Sequence, residues 1–172
     1  MEIITRRVTA LDDALLDGLS DVLVDCVEGG ASVSFMSPFD TGQARGFWRR
    51  VGEDLAHGGR ALIVAEDGRD VVGTVQLVLD QPPNQPHRAD LAKMLVHRRA
   101  RRRGIGEALM RHAERVAQES GRTLLVLDTA SDTAARLYTR LGWQACGTVP
   151  DYALLPQGGY CDTTFFWRRL QP

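Results

Sequence analysis

Apolar residues along this chain change period several times, and each change marks an expected element. Residues 2 to 8 are β-prone and predict a short strand. Leu11, Leu15, Leu19, Val22, Leu23 and Cys26 then recur at helical spacing; Thr9-Ala10-Leu11-Asp12 reads as a capping box opening that helix, and Gly29-Gly30 ends it. Ala44, Phe47, Trp48, Val51 and Leu55 predict a second helix from about Asp40 to His57, stopped by Gly58-Gly59. Two apolar runs, Arg60 to Glu66 and Val71 to Leu79, flank the turn Asp67-Gly68-Arg69-Asp70 and read as a hairpin.

A proline-rich loop, Gln81 to Pro86, precedes an expected strand from Ala89 to His97. From Gly104 to Ser120 the residues Ile105, Ala108, Leu109, Ala113, Val116 and Ala117 form one apolar helical face, with Gly121 as the C-terminal cap. Thr123 to Leu127 is continuously apolar, as a buried parallel strand would be, and a short helix is expected from about Ser131 to Leu141. Trp143 to Asp151 and Tyr160 to Leu170 supply two further strands across Pro156-Gln157-Gly158-Gly159. Strand and helix alternate between 89 and 141, with hairpins on either side. The fold class implied is α/β: a mixed sheet of six to seven strands with helices on both faces and a right-handed βαβ core.

In such sheets ligands dock at the carboxyl ends of the strands, here the turn after residue 96. That turn reads Arg101-Arg102-Arg103-Gly104-Ile105-Gly106. A glycine-rich turn running into a helix start presents unpaired backbone N–H groups and the positive end of the helix dipole, a site for phosphate. The glycines admit the anion closely, and the arginines offer paired donors. A dinucleotide fingerprint would need a third glycine where Leu109 stands, and a P-loop would need Gly-Lys-Ser or Gly-Lys-Thr.

Composition narrows the partner. With 172 residues and 44% hydrophobic content, one domain spanning 1–172 is expected. The formal net charge of -1 gives no field for gathering nucleic acid, so the arginine run is a local feature and its target a small polyanion. Lys93 is the only lysine. Cys26, Cys146 and Cys161 are widely spaced, without clustered histidines; no metal site is expected, and reduced thiols suit a cytoplasmic protein. No apolar leader or membrane span is read in the chain. Whether the protein is a monomer or a homodimer is not legible.

Met94-Leu95-Val96, followed after four residues by Arg101-x-x-Gly104-x-Gly106, resembles the acyl-CoA signature of the GNAT superfamily of N-acetyltransferases. A second element, Ser131-x-x-Ala134-x-x-x-Tyr138-x-x-x-Gly142-Trp143, is similar to another motif of that superfamily, with Ser131 in place of asparagine. Within the superfamily the chain looks most like the tabtoxin-resistance-type acetyltransferases, through residues 87–97, Leu127-Asp128-Thr129 and 147–156. The resemblance implies the GNAT fold and acetyl-CoA as cosubstrate, held by Met94, Leu95, Val96, Arg101, Arg102, Arg103, Gly104, Ile105, Gly106 and Ser131. It also implies acetyl transfer to a primary amine of a small molecule, such as an antibiotic, a toxin or an amino-acid-like amine. A protein N-acetyltransferase and a non-catalytic acyl-CoA-binding module are the alternatives.

An aliphatic amine with pKa near 10.4 is free base only about 0.04% of the time at pH 7, so a general base matters. The resemblance puts Asp90 and Asp128 near the parting of the central strands and makes them the candidate bases. Each also reads as a structural carboxylate, Asp128 capping the segment that follows and Asp90 solvated at a strand edge. By the same resemblance Tyr138 protonates the departing thiolate, and the backbone from Met94 to Val96 pairs with pantetheine and offers an N–H to the thioester oxygen. His87 and His97 read as solvated or packing residues, and Phe35, Trp48, Tyr152 and Trp167 as core aromatics.

Overall fold

The computed structural model describes residues 2–172. Seven strands, β1 (Ile3–Val8), β2 (Arg60–Asp67), β3 (Asp70–Val78), β4 (Arg88–Val96), β5 (Leu124–Thr129), β6 (Gln144–Leu154) and β7 (Tyr160–Arg169), form one sheet in the order β1-β2-β3-β4-β5-β7-β6. Only β4 and β5 run parallel. Helices α1 (Asp13–Glu28) and α2 (Thr41–Ala56) cover one face, and α3 (Ile105–Glu119) and α4 (Asp132–Arg140) the other. The expected mixed sheet with helices on both faces is therefore present.

Alternation along β2 builds both layers. Leu62 and Val64 pack under α1 and α2 with Leu19, Leu23 and Trp48, while Ala61, Ile63 and Ala65 face Leu109, Met110 and Ala113 of α3. A strand buried on both faces leaves little room for polar side chains, which is why β2 reads as an unbroken apolar run from Ala61 to Ala65.

Two local expectations need correction. The first helix is not opened by a capping box at Thr9: Asp12 is its N-cap, accepting the Leu15 N–H at 2.8 Å. A carboxylate one residue before the helical turn outcompetes a hydroxyl three residues upstream. The reciprocal capping box occurs instead at α2, between Asp40 and Gln43. Second, β5 runs parallel to β4 as expected but is not buried throughout. Leu125 and Leu127 are buried but Val126 is half-buried and Asp128 exposed, and β5 pairs along its whole length with antiparallel β7.

The register between β4 and β5 explains that exposure. Their pairing is confined to Arg88 with Leu124, Ala89 with Leu125 and Asp90 with Val126; beyond that the strands part. Opposite β3, β4 carries a bulge, because Gln76 pairs with Ala92 and Thr74 with Leu95, leaving Lys93 and Met94 across from Val75. Lys93 takes φ +52. A bulge bends and twists its strand, so it turns β4 away from β5 and opens a gap between the sheet's two halves.

Candidate functional site

Below the gap lies the turn that carries the arginines. A single 3-10 turn, Arg98–Ala100, leaves β4, and Gly104 (φ +75) is the N-cap of α3 without a side-chain capping bond. Among the described residues, the backbone N–H groups of 102–107 have no carbonyl or side-chain acceptor. Six adjacent unpaired donors at a helix N-terminus form a cradle of the kind that suits an anion. At Gly106 a Cβ would sit 3.0 Å from Leu137 Cδ2, so that glycine lets α3 and α4 approach. At Gly104 a Cβ would meet nothing, and the left-handed backbone alone calls for glycine.

The arginines are shared between this turn and its bracing. Arg103 Nη1 donates to Asp67 at 2.8 Å and Arg99 lies 3.6 Å from Asp70, tying the turn to the β2–β3 hairpin. Arg101 Nε donates to the Val96 carbonyl at 3.2 Å. Arg102 takes φ +63 and is exposed. Arg98 donates through its backbone N and its Nε to Asp25 of α1, at 2.8 and 2.9 Å, and His97 Nδ1 lies 3.5 Å from the same carboxylate.

Burial alone would raise the Asp25 carboxyl pKa, but the two Arg98 hydrogen bonds and the charges of His97 and Arg98 outweigh it and hold the pKa below the ordinary 3.8. A depressed carboxyl pKa stabilises the fold above the unfolded value, and that contribution is lost as pH falls through the folded value. Asp25→Asn should therefore cost about 1.5–3 kcal/mol at pH 7. Urea unfolding should show the gap from wild type narrowing below pH 3.8.

Across the gap stands Tyr138 on α4. Its ring is 4% exposed and packs against Phe166 (5.8 Å) and Trp143 (6.1 Å). Burial, and then the charge of Asp128, push its phenol pKa well above 10. Asp128 is on β5 beyond the point where the strands part, and its Oδ2 accepts the Thr163 hydroxyl at 2.7 Å. Asp90 sits at the last paired position of β4 and is bound by the Arg88 guanidinium. Ser131 is the N-cap of α4, its Oγ accepting the Ala134 N–H at 3.2 Å. Tyr138 is thus close enough to Asp128 to feel its charge, and Met94, Leu95 and Val96 line the β4 side of the gap with no strand paired to them from β5.

Several residues here escaped the sequence reading. Lys93, swung by the bulge onto the α1/α2 face, reaches Ser34 Oγ at 3.2 Å and lies 6.0 and 5.9 Å from the ring centres of Phe35 and Phe47. Its signal was available: one lysine, in a chain that otherwise uses arginine, within an apolar strand. Phe35 is half-buried, and Tyr152 is 51% exposed against the edge of Phe165, so neither is the core aromatic expected; Trp48 is. The Ser37 N–H donates to Pro156 O at 2.8 Å and Ser32 Oγ to Leu154 O at 3.3 Å, fastening the α1–α2 connection to the β6–β7 hairpin. A polar cavity of about 400 Å³ lies between the start of α4 and that hairpin, lined by Thr129, Ser131, Tyr160 and Asp162. A shallower one of about 470 Å³ follows the outer face of α4 and excludes Tyr138 and Asp128. No helix among the described residues is long and apolar enough to cross a membrane.

Known proteins share this fold. The chain resembles N-acetyltransferase 8B of Rattus norvegicus, 35% identical over 96 residues, which are 54% of this chain and 43% of the relative. The match thus spans less than half the length of that protein. Among solved structures, an N-acetyltransferase from Staphylococcus aureus superposes with TM-score 0.82 at 17% identity, covering 99% of this chain and 100% of the other. A phosphinothricin acetyltransferase from Sinorhizobium meliloti, in complex with AcCoA, also gives TM-score 0.82, at 20% identity, covering 99% and 89%. At these identities the two structures attest the fold. The profile of the acetyltransferase (GNAT) family matches residues 32–143, from the α1–α2 connection through the cradle and the gap to the end of the α4 turn, and the chain belongs to that family.

Proposed function

We propose that this chain is an acetyl-CoA-dependent N-acetyltransferase, residues 1–172 acting as one catalytic domain that transfers the acetyl group to a primary amine of a small molecule within a ternary complex. The observation that carries the reading is the alignment of an unpaired N–H cradle at the start of α3 with an unpaired stretch of β4. The first suits a diphosphate and the second an extended pantetheine arm, whose amides can pair with β4 as another strand would. The cradle fits the cosubstrate in chemistry, since its donors lack acceptors and a Cβ at Gly104 would face open space.

In this reading the backbone N–H groups of 102–107 bind the diphosphate, with Arg101, Arg102 and Arg103 flanking it. Met94 to Val96 orient the thioester and offer a main-chain donor to its carbonyl oxygen, where negative charge develops on attack. Asp128 takes the ammonium proton, directly or through water, and frees the amine to attack. As the C–S bond breaks, Tyr138 donates a hydrogen bond to the leaving sulfur, and the surplus proton on the attacking nitrogen passes to the departing thiolate, directly or through water. Small-molecule acceptors are proposed on the tabtoxin-resistance-type likeness of residues 87–97, 127–129 and 147–156.

Asp128 is preferred to Asp90 as the base because Arg88 already occupies Asp90, whereas Asp128 is exposed in the gap and within electrostatic reach of Tyr138. Asp128→Asn should lower kcat/KM by about 10²- to 10⁴-fold at neutral pH and Asp90→Asn by less than tenfold. The reverse order would exchange their roles. The test of the function is release of free CoA from acetyl-CoA across a chemically varied panel of amines; tight acetyl-CoA binding with no release from any amine would defeat the catalytic reading.

A further inference from the structure

On the α1/α2 side of the gap the structure gathers donors without acceptors. Lys93 is half-buried, its one hydrogen bond is to the neutral Ser34 hydroxyl, and two phenyl rings flank its ammonium. Loss of water, and then the charge of Arg60, depress its pKa; Asp128 opposes them. One strand over, opposite Ala92, Gln76 is fully buried. Its Oε1 accepts Arg60 Nη1 at 2.8 Å, which fixes the amide's orientation, and its Nε2 has no partner. Trp48 Nε1, next to Phe47 on α2, is likewise buried without an acceptor.

A half-desolvated cation and unpaired N–H donors are costly unless something anionic completes them. Asp128 is an opposite charge felt by Lys93, and the two form no ion pair among the described residues. Lys93 also holds a left-handed backbone, which a non-glycine residue adopts at a cost of order 1 kcal/mol and which concentrates at functional sites.

Resting on the proposed acetyltransferase reading, we infer that Lys93 binds an anionic oxygen group on the acceptor, in the simplest case a carboxylate. The acceptor is thereby an amino-acid-like zwitterion, its ammonium toward Asp128 and its carboxylate toward Lys93. The flanking Phe35 and Phe47 rings hold the ammonium in place through its apolar stem and ring faces, while excluding water that would screen the contact.

The test uses matched acceptors: amino acids, their amides, the corresponding decarboxylated amines and phosphonate analogues. The carboxylates should turn over with KM about 10- to 100-fold below the amides and amines. Lys93→Met should erase that preference by raising KM for the carboxylates alone, Lys93→Arg should restore part of it, and acetyl-CoA affinity should not change. Preference for phosphonates would keep the anion site and change its natural occupant. Equal KM for charged and neutral acceptors, or a preference that survives Lys93→Met, overturns the inference.

A second readout is independent of turnover. Because Lys93 is the sole lysine, 13C-lysine labelling gives one ε-methylene signal to follow. N-acetylglycine should shift it saturably and N-acetylglycinamide should not. Saturable N-acetylglycine binding without CoA release from any amine would retain the anion site and refute the catalytic reading instead. No shift with N-acetylglycine, or a gain of one acetyl mass on Lys93 itself during turnover, refutes the anion site.

Discussion

Gly104→Val should weaken acetyl-CoA binding by 100-fold or more, measured by titration calorimetry on folded protein. The residue has φ +75, and a Cβ there meets no neighbour, so the whole effect comes through the backbone. Valine is the side chain least able to hold a left-handed conformation. Relaxing φ at 104 rotates the peptide planes on either side, and the N–H groups of 102–107 no longer converge. Each hydrogen bond to a charged oxygen contributes about 1.5–3 kcal/mol, so losing two accounts for the fall. Gly104→Asn is the control, because asparagine tolerates the left-handed region; it should stay within about tenfold of wild type. If valine and asparagine bind equally to glycine, the cradle is not where the diphosphate sits.

Tyr138→Phe should lower kcat by about 10²- to 10³-fold with acetyl-CoA affinity nearly intact. Phenylalanine keeps the packing on Trp143 and Phe166, so thermal stability should change little; alanine at this position would instead open a cavity costing about 3–5 kcal/mol. The direction of the tyrosine's pKa shift says how it acts. Burial and Asp128 raise the phenol above its ordinary value, so it is fully protonated throughout neutral pH and is a weaker acid than a thiol near 8.5. Complete proton transfer to the thiolate is therefore uphill, and the hydroxyl works by hydrogen bonding to the sulfur as charge develops. The loss in Tyr138→Phe should be nearly constant from pH 6 to 9. A fully active variant across that range would remove Tyr138 from the mechanism.

The elements that were legible in advance were those whose evidence is local. The α3 face from Ile105 to Ala117 and the Asp40 start of α2 are written in helical spacing and a cap residue. The cradle was legible for the same reason, since Gly104 and Gly106 are both needed within three residues of a helix start. The side chains around it were less so. Arg98, Arg99 and Arg103 look alike in a basic run, yet they answer carboxylates on α1 and the β2–β3 turn that are 29 to 73 residues away in sequence and near only after folding.

What the chain's periodicity and its glycine turn established alone was a mixed sheet, helices on both sides and a glycine-capped helix start after β4, because those depend on residues within a few positions of one another. Where β4 leaves β5, the swing of Lys93 onto the α1/α2 face, the capture of Asp90 by Arg88 and the exposure of Asp128 beside the gap were settled by folding in three dimensions. Each depends on the register between strands, and register is a property of pairs of segments: one extra residue in β4 redirects a side chain from one face of the sheet to the other without altering any local pattern.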